Sequence, residues 1–508
     1  IKHGLKPVVI DVGRTLPGEK QEFSKKLALK DPSFWTEEER TRLSFNISVE
    51  ENLLSIPEKK VYGSDFFYGS NEPRSELSYQ GIKPPFSFAK GGLAEGWGAS
   101  TLPPSKDDIL DWPITYKEII HYYKEVIDQL SFSAVKDDLD KEFPVLHKSP
   151  ISLDSSPFDK KLLSKLENIS KRNPNILCGQ ARLVVNASES SPSGCKKCGE
   201  CMSGCVFGSI YKPSSELDEL IKNGKVEYLS QLLVTSIEKN QREILKINYL
   251  ESSGKKGFIN AKRIYLAAGA VNSSRIILNS LRTDLKRVSL QTRGGYVVPS
   301  LSFSRIGRKW PKANTLPAIF IEQKNSFLQS WSHIQVSTNN ELLHRRTLSL
   351  LKKIKSLRLI IRFFFTRVFT LFVSYHSKHS GRYILSLEIL DPKDENPKLN
   401  SLYILNKPKF TLRIFSFFEL FSLFLKARIL ILLPFSRLNS GTYHVGGSLP
   451  MKSNPKAKND TDLYGQISQL KRVHIVDSSI FPSLPATTIG ILSMANAYRI
   501  TEKTCLEE

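Results

Sequence analysis

The 508-residue chain has no run of about eighteen uncharged apolar residues, so it offers no candidate for a membrane-spanning helix. Its six cysteines are too few for a disulfide-stapled secreted protein of this size, and four of them crowd into one short segment. The start, at Ile1, shows no charged stretch, apolar core and small-residue cleavage site in signal-peptide order. These absences make the cytoplasm the expected compartment. Acidic residues are scarce, 50 Asp and Glu against 73 Lys and Arg, and the formal charge of +23 favours an anionic partner such as a membrane surface or an acidic substrate. No nucleic-acid-binding motif is present, and no nucleic-acid partner is expected. Most consequentially, a Gly-x-Gly-x-x-Gly turn occurs nowhere in the chain.

The length suggests two domains, and an apolar content of 40% is enough to give each a core. Near the start, Pro7-Val8-Val9-Ile10-Asp11-Val12-Gly13 reads as a parallel strand. Its terminal acid, Asp11, could accept hydrogen bonds from a ribose, and it also fits a plain strand ending in a turn at Gly13. Gly91, Gly92, Trp97, Gly98, Ala99 and Ser100 form a glycine-rich loop, where backbone can approach a ring or phosphate and Trp97 offers a stacking plane. Residues 262–270 read as a strand running into the small-residue turn Ala268-Gly269, followed by a helix over 273–278; tight packing alone would also explain the small residues. Residues 226–237 read as one further strand. At the far end, His444 stands beside glycines, a buried-looking strand delivers Asp477 and Ser478 to a turn, and Thr487 and Thr488 precede a helix over 489–499.

Cys195, Cys198, Cys201 and Cys205 have the spacing C-x2-C-x2-C-x3-C, which suits an iron–sulfur cluster better than zinc. Val206 stands where bacterial ferredoxins carry Pro, and Cys178 is an alternative fourth thiolate. A loop-ordering thiol pattern is the competing reading. Between about residues 291 and 440 the chain changes character. One aromatic stretch carries Arg345, Arg346, Lys352, Lys353, Lys355, Arg358, Arg362 and Arg367 among Leu359, Ile360, Phe363, Phe364, Phe369 and Phe372; a second runs from Ile414 through Phe417 and Phe424 to Leu433. Both read as amphipathic helices, lying either in a bilayer interface with cations toward anionic headgroups or over a sheet.

The order and spacing of these motifs resemble the GMC (glucose-methanol-choline) family of flavin oxidoreductases. The resemblance covers most of the chain and is thin in its middle. It implies an α/β fold, with a discontinuous Rossmann-like FAD-binding domain (1–110, 195–290 and 440–508) and a substrate domain of antiparallel sheet and helices (111–194 and 291–439). It implies FAD as cofactor, contacted by Asp11, Gly13, 91–100, Ala268, Gly269, Asp477, Ser478 and Thr487, with Val234 near the adenine. His444 becomes the base that takes the hydroxyl proton of an alcohol, a sugar or a lipid-linked substrate, and, if the cysteine cluster holds iron, a dehydrogenase passing electrons to a carrier protein or quinone is expected rather than an oxygen-using oxidase. Two departures stand out. The glycine turn would precede the segment matching Lys6 to Gly13, so the chain looks truncated at its N-terminus, and Thr488 occupies the position where the family places a His or Asn. These departures leave open a catalytically impaired flavin-fold protein that serves as a binding or assembly component, on the membrane periphery or in the cytoplasm.

Overall fold

The computed structural model describes the chain except residues 1–2, 45–58, 70–71, 240–243, 308–311, 327, 340, 342–357, 392, 433–439 and 507–508. Arg345, Arg346, Lys352, Lys353, Lys355 and Leu433 therefore lie outside the described residues.

The organising element is a mixed sheet of ten strands among the described residues. Its path runs Leu77–Gln80, Lys398–Ile404, Arg382–Glu388, Arg287–Ser302, Val368–Tyr375, Ser330–Ser337, Ile319–Asn325 and Ile176–Gln180. The long strand Arg287–Ser302 also takes Ile429–Ile431 and Ser440–Gly446 as antiparallel partners, which carries His444 onto this sheet. Strand Val368–Tyr375 shows why the sheet forms: Phe369, Leu371, Val373 and Tyr375 alternate onto one buried face. That face is covered by the helix Pro157–Ser170 through Leu162 and Leu166, and by the helix Lys407–Lys426 through Phe417, Leu420, Leu423 and Phe424. Each such side chain contributes about 2 kcal/mol of burial.

The opposite face looks onto a larger core that unites the sheet with the half of the chain expected to bind a nucleotide. There, Val8–Ile10 pairs in parallel with Glu227–Leu229, and Val473–Ile475 pairs in parallel with Ile264–Leu266. The C-terminal helix Gly490–Thr504 packs on the helix Tyr116–Ile127, whose first turn is capped by Thr115 accepting from the Glu118 amide at 3.1 Å.

Several expected elements take a different form. The strand expected over 226–237 divides at Gln231, whose φ of +66° turns the chain. Its first part joins the parallel pair, and its second, Leu233–Lys239, opens an antiparallel three-stranded sheet. The aromatic stretches are not continuous helices. The first is helical over Arg358–Phe365 and then becomes the strand carrying Phe369 and Phe372; the second ends as helix at Lys426 and continues as the strand Ile429–Ile431. β-branched and aromatic side chains alternating with period two satisfy the sheet rather than a helical stripe.

Candidate active site

The half of the chain expected to bind the cofactor places most of the expected residues at strand ends and turns. Asp11 follows the strand Val8–Ile10; burial pushes its carboxyl up, while the Tyr228 hydroxyl donates to its Oδ2 at 3.0 Å. Gly13 is held at φ +65°, and a Cβ there would lie 2.3 Å from the Tyr228 hydroxyl, so the turn requires glycine. The amides of Gln231 and Leu232 donate to Val12 O and Asp11 O, which brings Val234 close behind the same turn.

In the glycine-rich loop, Gly91 and Gly92 have positive φ, and Trp97 Nε1 donates to Tyr211 O at 2.8 Å. Wholly buried Ala99 sits at φ +56°, a conformation that costs a non-glycine residue about 1 kcal/mol. A Cβ added at Gly92, Gly98 or Gly269 would meet no atom within 4 Å, so the backbone at these three positions borders open space. Thr487 Oγ1 is buried with no hydrogen-bond partner among the described residues. Open backbone at three glycines and a hydroxyl lacking a partner fit a bound flavin dinucleotide.

Asp477 ties this half together. Its carboxylate accepts from the Gly269 amide at 2.9 Å, the Ser273 hydroxyl at 2.5 Å, the Ser479 amide at 2.9 Å and the Ser479 hydroxyl at 2.5 Å. It thereby locks the Ala268-Gly269 turn, at the start of the helix Ala270–Ser280, to the turn of Ser478. Ser478 Oγ in turn donates to Val445 O at 2.7 Å, next to His444.

His444 is partly buried, and burial, followed by the charge of Arg293 and the neighbouring His333 ring, holds its imidazole well below the ordinary histidine value. Its neutral ring can accept a proton. Thr488 does not supply a free donor beside it: its hydroxyl donates to Ser100 O at 2.8 Å.

The inner face of the large sheet supplies groups that the motifs did not reveal. Glu322 and His333 are register partners on adjacent strands, and Glu322 Oε1 lies 2.5 Å from His333 Nδ1. His333 Nε2 lies 3.0 Å from Gln335 Nε2, and the Ser100 hydroxyl donates to Gln335 Oε1 at 3.4 Å. Arg293 Nη1 donates to Ala486 O at 2.5 Å. Burial pushes Glu322 well up and His333 well down, and it lowers Arg293 to about 9, so Arg293 remains a cation at neutral pH. The sheet is thus bonded to the glycine-rich loop and to residues 486–488, with His444 alongside. The sequence carried no signal for these groups: the strands around Glu322 and His333 hold other polar residues as well, among them Gln323, Lys324, Ser332 and Gln335.

Cys195, Cys198, Cys201 and Cys205 line one small cavity with Glu200, and none is in a disulfide. The iron–sulfur expectation finds no support. Among the described residues no three His, Cys, Asp or Glu side chains are grouped to hold a metal. Cys178 lies in the core behind the sheet and does not line this cavity. The segment is instead anchored by protein hydrogen bonds, with Cys201 Sγ accepting from the Thr315 amide at 3.3 Å.

No family model matches the chain, and no curated protein matches it in sequence. Among solved structures, the whole chain aligns with 95% of pyridoxine 4-oxidase from Mesorbium loti, with a TM-score of 0.58 and 11% identity. At this identity the likeness establishes architecture alone: the chain has the fold of pyridoxine 4-oxidase.

Proposed function

We propose that the protein is an FAD-dependent oxidoreductase acting on a CH–OH group. The observation that carries this reading is His444, held neutral by burial on the strand paired with Arg287–Ser302 and beside Arg293 and His333. FAD, when bound, supplies the hydride acceptor. The chain's own residues do the rest. A ring nitrogen of His444 takes the hydroxyl proton, and the C–H bond gives up its electron pair as hydride, leaving a carbonyl. Arg293, a buried cation, favours the developing alkoxide oxygen. His333 has both ring nitrogens engaged, by Glu322 and Gln335, and serves as a positioning residue that fixes Gln335 and Ser100.

Gly92, Gly98, Gly269 and Thr487 are the positions that would receive the cofactor, with Asp11, Gly13 and Val234 toward its adenosine end. Pyridoxine, a primary and polar alcohol, is a rational first substrate to try, followed by sugars and lipid-linked alcohols. The test is to supply the purified chain with FAD and follow bleaching of protein-bound flavin on anaerobic addition of each alcohol. Which of dioxygen, a quinone or a carrier protein restores the colour then identifies the acceptor. Flavin that binds but is bleached by none of these alcohols counts against the proposal and favours a binding or assembly role.

A further inference from the structure

The two aromatic stretches of the middle region part company in the fold. The helix Lys407–Lys426 does cover the sheet, burying Phe417, Leu420, Leu423 and Phe424. The helix Arg358–Phe365 does the reverse. Leu359 is 82% exposed, Ile360 55%, Phe363 51% and Phe364 46%. Spaced i, i+1, i+4 and i+5, these side chains share one helical face turned to solvent. Phe303, 60% exposed, is brought to the same edge: the Phe303 amide donates to Arg428 O at 3.5 Å, and the Ile306 amide to Thr366 O at 2.8 Å.

Cations surround this apolar edge. The Arg367 guanidinium lies 4.0 Å over the Phe363 ring. A neighbouring groove of about 290 Å³ is lined by Phe158, Leu162 and Ile306 together with Lys161, Lys165 and Arg305. From residue 342 to residue 387 the sequence contains ten Lys and Arg and no Asp or Glu. Among the described residues no helix is long and apolar enough to cross a membrane.

We propose that this edge, the 358–365 helix with Phe303 and the surrounding cations, docks the protein onto an anionic lipid bilayer surface. The apolar side chains decide between the candidate polyanions. A nucleic acid would meet the cations but leave five large apolar groups in water. An anionic bilayer takes the rings and aliphatic chains into its interface while its headgroups meet Arg305, Arg367 and the groove lysines. The proposal is independent of the catalytic reading, because the edge contains none of the groups assigned to catalysis.

The experiment is cosedimentation of the full chain with phosphatidylcholine vesicles, with and without phosphatidylglycerol, at low and high salt. Binding is expected to the phosphatidylglycerol vesicles, weakened by salt. The combined variant Leu359→Ser, Ile360→Ser, Phe363→Ser and Phe364→Ser should partition at least about a hundredfold less well. Its circular dichroism should be unchanged, because these side chains are exposed. Should that variant fail to fold, Lys161→Glu with Arg305→Glu should weaken binding and flatten its salt dependence. No binding by the native chain at low salt overturns the proposal, as does undiminished binding by both variants.

Discussion

Glu322 Oε1 and His333 Nδ1 meet at 2.5 Å across two neighbouring strands, in a part of the sheet where each side chain is no more than 1% exposed. Burial holds Glu322 well above the usual carboxylate range and keeps the His333 imidazole neutral, while Arg293 and Arg182 pull Glu322 the other way. Glu322→Ala would leave these groups facing an empty buried position. A loss of about 3 kcal/mol or more in unfolding free energy is expected from denaturant titration, with Glu322→Gln, which keeps the shape, losing clearly less. Equal losses in the two variants would show that only volume matters there.

At the other end of the site, Gly13→Ala places a Cβ 2.3 Å from the Tyr228 hydroxyl in a residue held at φ +65°. The expected cost is about 2 kcal/mol, together with weaker FAD retention. In a Tyr228→Phe background the clash with oxygen is removed and the dihedral strain remains. Gly13→Ala should therefore cost less there, and a double-mutant cycle measures the difference.

Asp477 joins two turns through four hydrogen bonds, so Asp477→Ala strands two backbone amides and two hydroxyls. A loss of about 3 kcal/mol and poorer flavin retention are expected, the first read by denaturant titration and the second by absorbance after gel filtration.

Acid stability is set in part by His376, whose Nε2 lies 3.2 Å from Asp108 O and whose Nδ1 accepts from the Lys378 amide at 3.2 Å. Burial pushes this imidazole down to about 4. The folded ring stays neutral where the unfolded ring has already taken a proton. The unfolded state thus binds more protons, and stability falls as pH drops through the window from about 6.5 to about 4. The advantage of the native chain over His376→Gln should shrink by about 3 kcal/mol across that window, as followed by denaturant midpoints at several pH values. A constant difference would mean that His376 titrates normally.

What the sequence made legible follows from where each constraint resides. Asp11, the glycine-rich loop at 91–100, the Ala268-Gly269 turn and Asp477 are local devices, three of them a glycine or acid at the end of a strand, and their placement at turns could be read directly. Glu322, His333 and Arg293 could not. They stand beside polar neighbours such as Thr292, Gln323 and Ser332, as solvent-facing residues would, and only the assembled sheet, buried on both faces, turns them inward. The aromatic middle misled for a related reason. Phe369 and Phe372 lie in a run whose charges suggested helix, yet pairing of 368–374 with 295–301 decides for strand. Thr488 was legible as a departure, and the structure adds that its hydroxyl is engaged by Ser100.

The most direct test of the account is bleaching of protein-bound flavin by an alcohol under anaerobic conditions, compared between the native chain and His444→Ala. Both should retain FAD, and the variant should be reduced about 10²–10⁴-fold more slowly. Reduction of the variant at the native rate would contradict the account.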